Sequence, residues 1–203
     1  MTIDRKNPFG LHADDMTMAF IDGPSLYGTF KLFETENNFN YMALRDMLKK
    51  GCKLQDIRYY TVIKPDEDGY SPIKPVVDLI GNNGYTTIVK QGRTVSNDLG
   101  SKTKGSFVPQ LTIDMYRAAT KGMDHIILFS GDGDLADVIE AVKNEGCRVT
   151  VVSTRRERTV SDDLRWVAQD FVDLGECYED FIYYQQKSAG RGGRGTLAPR
   201  FGS

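Results

Sequence analysis

The sequence has only three cysteines, two histidines and one tryptophan in 203 residues, and each scarcity excludes something. Cys52, Cys147 and Cys177 are odd in number and widely spaced, with no C-x-x-C pair. That argues against a disulfide framework and against a zinc site, and each fits as a small buried hydrophobe. No apolar run approaches the ~18 residues of a membrane span, and the first residues lack the apolar stretch of a signal peptide. A cytoplasmic protein with no membrane partner is the expectation. Neither sign of charge dominates: the formal net charge is −2. Without the four basic side chains of 187–203 (Lys187, Arg191, Arg194, Arg200), the remaining chain carries 22 basic and 28 acidic groups. A mildly acidic body with a basic tail is not the pattern of a general nucleic-acid binder.

What is present is apolar content of 40%, enough for a core, and a regular alternation of strand and helix signals. Residues 1–15 are polar with Pro8 and Gly10 and read as a loose leader. "MTMAFID", "DIRYYTVIK", "YTTIVKQG", "HIILFS" and "RVTVVST" read as buried strands, with "FVDLG" as a possible sixth. "FNYMALRDMLKKG", "SPIKPVVDLIGNNG", "PQLTIDMYRAATKG", "LADVIEAVKNEG" and "SDDLRWVAQD", the last capped by Ser161, read as helices. Residues 92–106 are polar and read as a long loop. "CYEDFIYYQQ" reads as a core-packing helix, with a docking or dimer face as the alternative. Strand and helix in alternation predict an α/β fold with a mostly parallel sheet of five to six strands. The domain is expected over 16–186, followed by a disordered Gly/Arg-rich tail, 187–203. Its single RGG is compatible with RNA affinity or with a linker.

The acids fall where such a sheet binds ligands, beyond the carboxyl ends of its strands. Asp22 closes "MAFID"; Asp132 and Asp134 follow "IILFSG". Asp114 adds a fourth: Leu111, Met115 and Ala118 mark its helix's apolar stripe, and Asp114 lies on that same stripe. A buried carboxylate is costly unless paired or metal-bound. Each acid has a plain structural reading. Asp134 can cap a helix, Asp22 can form a turn, Asp114 can pair with an Arg or Lys, and Asp137, Asp162 and Asp163 suit helix starts. A calcium loop is not supported, because D-x-D at 132–134 lacks the 12-residue spacing and terminal Glu. The conjunction of Asp22, Asp114, Asp132 and Asp134 nevertheless points to Mg²⁺ or Mn²⁺, since clustered carboxylates repel unless a cation holds them.

These motifs resemble those of the NYN domain family, in its LabA-like subgroup, within the PIN-like nuclease superfamily. "FIDGPSL" (20–26) stands for the strand motif F-I-D-G-x-N-L, "KGSFVPQLTIDMYRAA" (104–119) for the helix carrying an Asp, and "SGDGDL" (130–135) for the third motif. The resemblance spans roughly 17–175 in consistent order. It implies a PIN-like, Rossmann-like three-layer sandwich and divalent-metal-dependent RNA cleavage, with Asp22, Asp114, Asp132 and Asp134 as catalytic, metal-holding acids. Two departures stand out. Ser25 replaces the family's usual Asn, and Phe107–Val108 stands where another Asp usually precedes the helix Asp.

Hydrolysis of RNA phosphodiesters at the Asp cluster is therefore the leading expectation. The alternative is a catalytically weak module that binds RNA or protein and regulates. His12 and His125 belong to none of the motifs, and His125, at a strand start, reads as structural. Arg155, Arg156 and Arg158 of "TRRERT", with Lys104, Ser25 and Ser130, are candidates for contacting RNA phosphates. A solvated charged loop is the alternative for the arginines. "GSKTKGS" does not fit G-x-x-x-x-G-K-[ST], which excludes a P-loop NTPase, and Asp22-Gly-Pro-Ser lacks the second Asp of a D-x-D phosphatase. A homodimer is compatible with these features.

Overall fold

The computed structural model describes residues 4–35, 39–63, 71, 73–97 and 100–183, with the backbone alone over 93–104. Its strands are β1 (Met16–Asp22), β2 (Lys53–Ile63), β3 (Thr86–Gln91), β4 (Arg93–Asn97), β5 (Gly100–Lys104), β6 (His125–Phe129), β7 (Arg148–Ser153) and β8 (Asp170–Asp173). Six of them form one sheet in the order β3-β2-β1-β6-β7-β8, parallel at every step. The central strands are buried on both faces, which is why they read as unbroken apolar runs. Phe20 and Ile21 show the alternation: Phe20 enters one core and Ile21 the other.

Helices α1 (Gly23–Lys31), α2 (Tyr41–Gly51) and α3 (Lys74–Gly81) cover one face through Leu26, Phe30, Leu44, Leu48, Val77 and Ile80. On the other face, α4 (Val108–Thr120), α5 (Ala136–Asn144) and α6 (Asp162–Val167) contribute Leu111, Met115, Val138, Ile139 and Leu164. The result is a three-layer α/β sandwich. A fully buried leucine such as Leu44 or Leu111 contributes about 1.5–3 kcal/mol relative to exposure. All three cysteines are buried thiols. Among the described residues no helix is long and apolar enough to cross a membrane.

Three expectations need correction, and one helix was not foreseen. The supposed leader is part of the core: Phe9 and Leu11 are buried, and the Phe9 ring lies 5.6 Å from Phe129 and 5.7 Å from Phe181. Asn7 fixes this loop by accepting from the Leu11 amide and donating to its carbonyl. The segment after β1 forms α1 despite its two glycines and Pro24, because Asp22 caps it and proline is tolerated in a first turn. Within 92–106 the backbone makes an antiparallel hairpin, β4–β5, rather than a loop. Of the helix expected over 177–186, the described residues form only a 3-10 turn, Tyr178–Phe181, after another at Leu174–Glu176, though Phe181 packs into the core as expected. Tyr184 and the tail 187–203 lie outside the described residues.

His125 is structural, at the amino end of the sheet. It is fully buried, with Nε2 2.8 Å from Thr150 Oγ1 and Nδ1 3.0 Å from Arg148 Nη2. Burial, helped by the Arg148 charge, lowers its pKa to about 3, so the imidazole is neutral.

Candidate functional site

β1 and β6 are neighbours, with Ile21 in register with Phe129. The chain leaves β1 into α1 on one face and leaves β6 toward α5 on the other. Their carboxyl ends therefore form the topological switch point, where open α/β sheets bind ligands. Asp22 closes β1 there and Ser130 follows β6.

Asp22 is buried and tied down on both oxygens. Its Oδ1 accepts the Ser25 amide at 3.0 Å, and its Oδ2 accepts the Ser130 hydroxyl at 3.0 Å. Ser130 Oγ in turn accepts the Asp132 amide at 3.1 Å. Ser25 Oγ accepts the Gly131 amide at 3.0 Å. Asp132 Oδ1 accepts the Asp134 amide at 3.0 Å and caps the 3-10 turn Gly133–Leu135. Two loops about a hundred residues apart in sequence are thus laced together by two serines. Burial raises the Asp22 pKa above its ordinary 3.8; the bonds from Ser25 and Ser130 oppose this, and the nearby charge of Asp132 adds to it. Gly131 is required by close approach, because a Cβ there would overlap the Thr159 carbonyl.

Asp114 lies on the buried face of α4, as its position on the apolar stripe predicts. Its carboxylate is already partnered. Tyr60 Oη donates to Oδ2 at 2.8 Å, Arg58 Nη1 lies 3.2 Å from the same oxygen, and Gln110 Nε2 donates to Oδ1 at 3.0 Å. Tyr60 sits in register with Asp22, so the phenol that binds Asp114 comes from the strand next to Asp22. Phe107, at the position where the family pattern has an acid, is buried with its ring 6.1 Å from Tyr60. Asp134 is exposed beside the Asp132 cap.

The four-aspartate metal set expected from the sequence is therefore not assembled. Among the described residues no group of three or more Asp, Glu, His or Cys side chains lies close enough to hold one ion. Asp114 is engaged elsewhere, ion-paired to Arg58 and hydrogen-bonded by Tyr60 and Gln110. What remains is a pair, Asp22 and Asp132; burial is the main cause of the raised Asp22 pKa, and the Asp132 charge adds to it. A pair of carboxylates completed by water and phosphate fits Mg²⁺, which is commonly held by one or two carboxylates and substrate phosphates.

Ser25 and Ser130, expected to contact substrate, also position the site: Ser25 Oγ accepts the Gly131 amide, and Ser130 bridges Asp22 and the Asp132 amide. Arg155 is exposed, with its guanidinium 5.3 Å from the Phe171 ring and its Nε 3.9 Å from Asp173. Arg156 is turned away, over the Phe33 ring at 5.0 Å. A cleft of about 430 Å³ beside the Asp132 loop is lined by Arg155, Arg158, Arg165, Val160, Ser161 and Asp162. The Ser161 amide donates to the Gly131 carbonyl at 2.9 Å, which joins cleft and loop. Arg165 was not foreseen; as one exposed cation on a short helix it carries no periodic signal. Glu157 and Arg158 both adopt positive φ, +50° and +55°, conformations that are strained for such residues. The Lys104 side chain lies outside the described residues. Ser153 Oγ, buried at the end of β7, has no hydrogen-bond partner among the described residues.

With this geometry in view, the comparisons are consistent with one another. The NYN domain sequence pattern matches residues 16–175. The low amplitude and bright protein LabA of Synechococcus elongatus is 28% identical over 163 residues, which is 77% of this chain and 82% of that protein. A protein of unknown function from Vibrio parahaemolyticus superposes with a TM-score of 0.65 at 21% identity, over 90% of this chain and all of that one. That likeness shows the fold.

Proposed function

We propose that this chain, which belongs to the NYN domain family, is a divalent-metal-dependent ribonuclease working at the Asp22–Asp132 pair. The observation that carries the reading is that Ser130, at the switch point of the sheet, binds the Asp22 carboxylate and the backbone amide of Asp132 at once, which brings the two loops that carry these acids together. Burial disfavours the charged form of Asp22 and the charge of Asp132 adds to this, so a cation held between the two loops would favour both carboxylates. Asp22 and Asp132 would hold the ion, with the exposed Asp134 next to them. When bound, a divalent ion makes a water more acidic and withdraws charge from a phosphoryl oxygen.

The chain's own residues do the rest. Ser25 and Ser130 hold the Asp22 carboxylate and the Gly131–Asp132 backbone, so little reorganisation is needed as charge develops. Arg155, Arg158 and Arg165 line the adjoining cleft and suit the phosphates flanking the scissile bond. Asp114 acts at one remove, by fixing Tyr60 and Arg58 beneath the site.

One observation favours a second reading, an RNA-binding module without cleavage. Asp114 is committed to Arg58, and Phe107 fills the place of a further acid, so the pocket has fewer carboxylates to offer a metal. The two readings separate in one experiment. Single-stranded and structured RNA is incubated with the protein in Mg²⁺ or Mn²⁺, and again with EDTA. Cutting that needs the metal supports the nuclease. RNA retained on a filter but left intact under every metal condition overturns it in favour of the binding module.

A further inference from the structure

Three non-glycine residues among those described have positive φ, and two of them are consecutive, Glu157 and Arg158. Such strain persists only where the surroundings enforce it, and it gathers at ligand clamps. The turn after β7 is enforced at both ends. Thr154 Oγ1 accepts the Arg156 amide at 3.2 Å, and the Val160 amide donates to the Thr154 carbonyl at 3.2 Å. The Arg156 carbonyl accepts both the amide and the hydroxyl of Thr159, at 3.0 and 2.7 Å. What the turn presents is Arg158, which lines the cleft of about 430 Å³ beside the Asp132 loop.

All six residues lining that cleft fall within 155–165. Three are arginines and one, Asp162, is an acid, so positive charge is in excess by two. Asp162 meets Arg165 at 3.3 Å, but its side chain is largely exposed and the pair is weak. The Arg155 and Arg165 guanidiniums lie 5.3 and 5.8 Å from the same Phe171 ring, which restrains both cations. Among the described residues Arg158 makes no ion pair. Ser161 adds a hydroxyl donor. An internal phosphodiester offers one negative charge, and a run of them calls for cations spread along a path. A phosphomonoester concentrates about −1.5 to −2 charge and three acceptor oxygens at one point. Three forked cations gathered within one short segment match the second pattern.

We propose that this cleft is a terminal-phosphate site: of the phosphates near the scissile bond, the one seated on Arg155, Arg158 and Arg165 is the phosphomonoester at an end of the RNA strand. The inference rests on the ribonuclease reading for the molecule that carries the phosphate, and it can fail separately from it. The chemistry it recognises is shared by a 5′-phosphate and a 3′-phosphate. The bond between the Ser161 amide and the Gly131 carbonyl joins the cleft to the Asp132 loop, so cutting falls near the phosphorylated end. A strand ending in hydroxyls leaves the cleft without its dianion and binds more weakly.

The full chain is titrated in EDTA, which separates binding from cutting, with one short RNA sequence in three forms: 5′-phosphate, 3′-phosphate, and hydroxyl at both ends. Filter retention gives the affinities. A phosphorylated form is expected to bind about tenfold to a hundredfold more tightly than the hydroxyl form, and the form that gains assigns the end; equal gain by both supports a site blind to strand polarity. Arg158→Gln is expected to remove most of the difference. Arg158→Gly is expected to remove it too while melting at a higher temperature than wild type, because glycine relieves the positive φ. That combination separates a lost ligand contact from a damaged fold. Equal affinity of all three forms would overturn the site and leave the nuclease reading intact. A folded Arg158→Gly that still discriminates would overturn it as well. Discrimination without metal-dependent cutting supports the site and sinks the nuclease. Absence of any RNA binding overturns both.

Discussion

Ser130 donates its hydroxyl to Asp22 Oδ2 across 3.0 Å, and through that bond the end of β6 positions the acid at the end of β1. Ser130 Oγ also accepts the Asp132 amide, so one side chain of two heavy atoms fixes the Asp22 carboxylate and the backbone from which Asp132 projects.

Ser130→Ala should therefore do two things. It leaves Asp22 Oδ2 and the Asp132 amide without their partner, which costs about 1–3 kcal/mol of stability. It should also lower RNA cleavage about 10- to 100-fold, the usual effect of removing a group that orients a metal ligand. Urea denaturation and a cleavage time course measure the two separately.

Asp22→Asn should separate stability from function. Burial raises the folded Asp22 pKa above the unfolded 3.8, so the folded state holds its proton more tightly than the unfolded state does. The stability contributed by this linkage is fully present below pH 3.8 and is lost as pH rises through the folded value. At pH 7 the wild type thus carries a buried charge that Asn removes. The variant is expected to melt higher than wild type at pH 7, to lose that advantage toward pH 3.5, and to be inactive. Thermal melts at both pH values check the sign.

Asp114→Asn should destabilise the fold by about 1.5–3 kcal/mol, the range for a hydrogen bond to a charged group. Arg58 would lose one partner but keep Asp56 at 2.9 Å, which limits the loss. A double-mutant cycle with Arg58→Gln should show the coupling.

Two glycines predict opposite signs. Gly131→Ala forces a Cβ into the Thr159 carbonyl and should cost about 1–3 kcal/mol. Gly28, inside α1, has nothing within 4 Å of the same added atom, so Gly28→Ala should stabilise by about 0.5–1 kcal/mol. Denaturation midpoints of the two variants settle both.

Much of this was legible along the chain because it is local. The apolar runs mark β1, β6 and β7. The Ser161 cap is where "SDDLRWV" places it, with its Oγ accepting the Asp163 amide at 3.2 Å. Asp114 breaks its helix's apolar stripe and is indeed buried. Its partners were not legible: Tyr60 lies 54 residues away, and no local pattern says that a strand's tyrosine and arginine will reach one helix aspartate. Phe9 escaped for a similar reason, since its burial depends on Phe129 and Phe181 rather than on periodicity. Arg156 lies over the Phe33 ring and Arg165 on α6 lines the cleft, placements set by tertiary contacts that no local pattern shows.

The most direct measurement is single-turnover cleavage of single-stranded RNA in Mn²⁺ by wild type, Asp132→Asn and Asp114→Asn, with folding verified for each. The account predicts that wild type cuts, that Asp132→Asn falls at least about 100-fold, beyond the range for groups that only orient a metal ligand, and that folded Asp114→Asn keeps most of its rate. Cleavage by Asp132→Asn at the wild-type rate, or a folded Asp114→Asn as inert as Asp132→Asn, would contradict it.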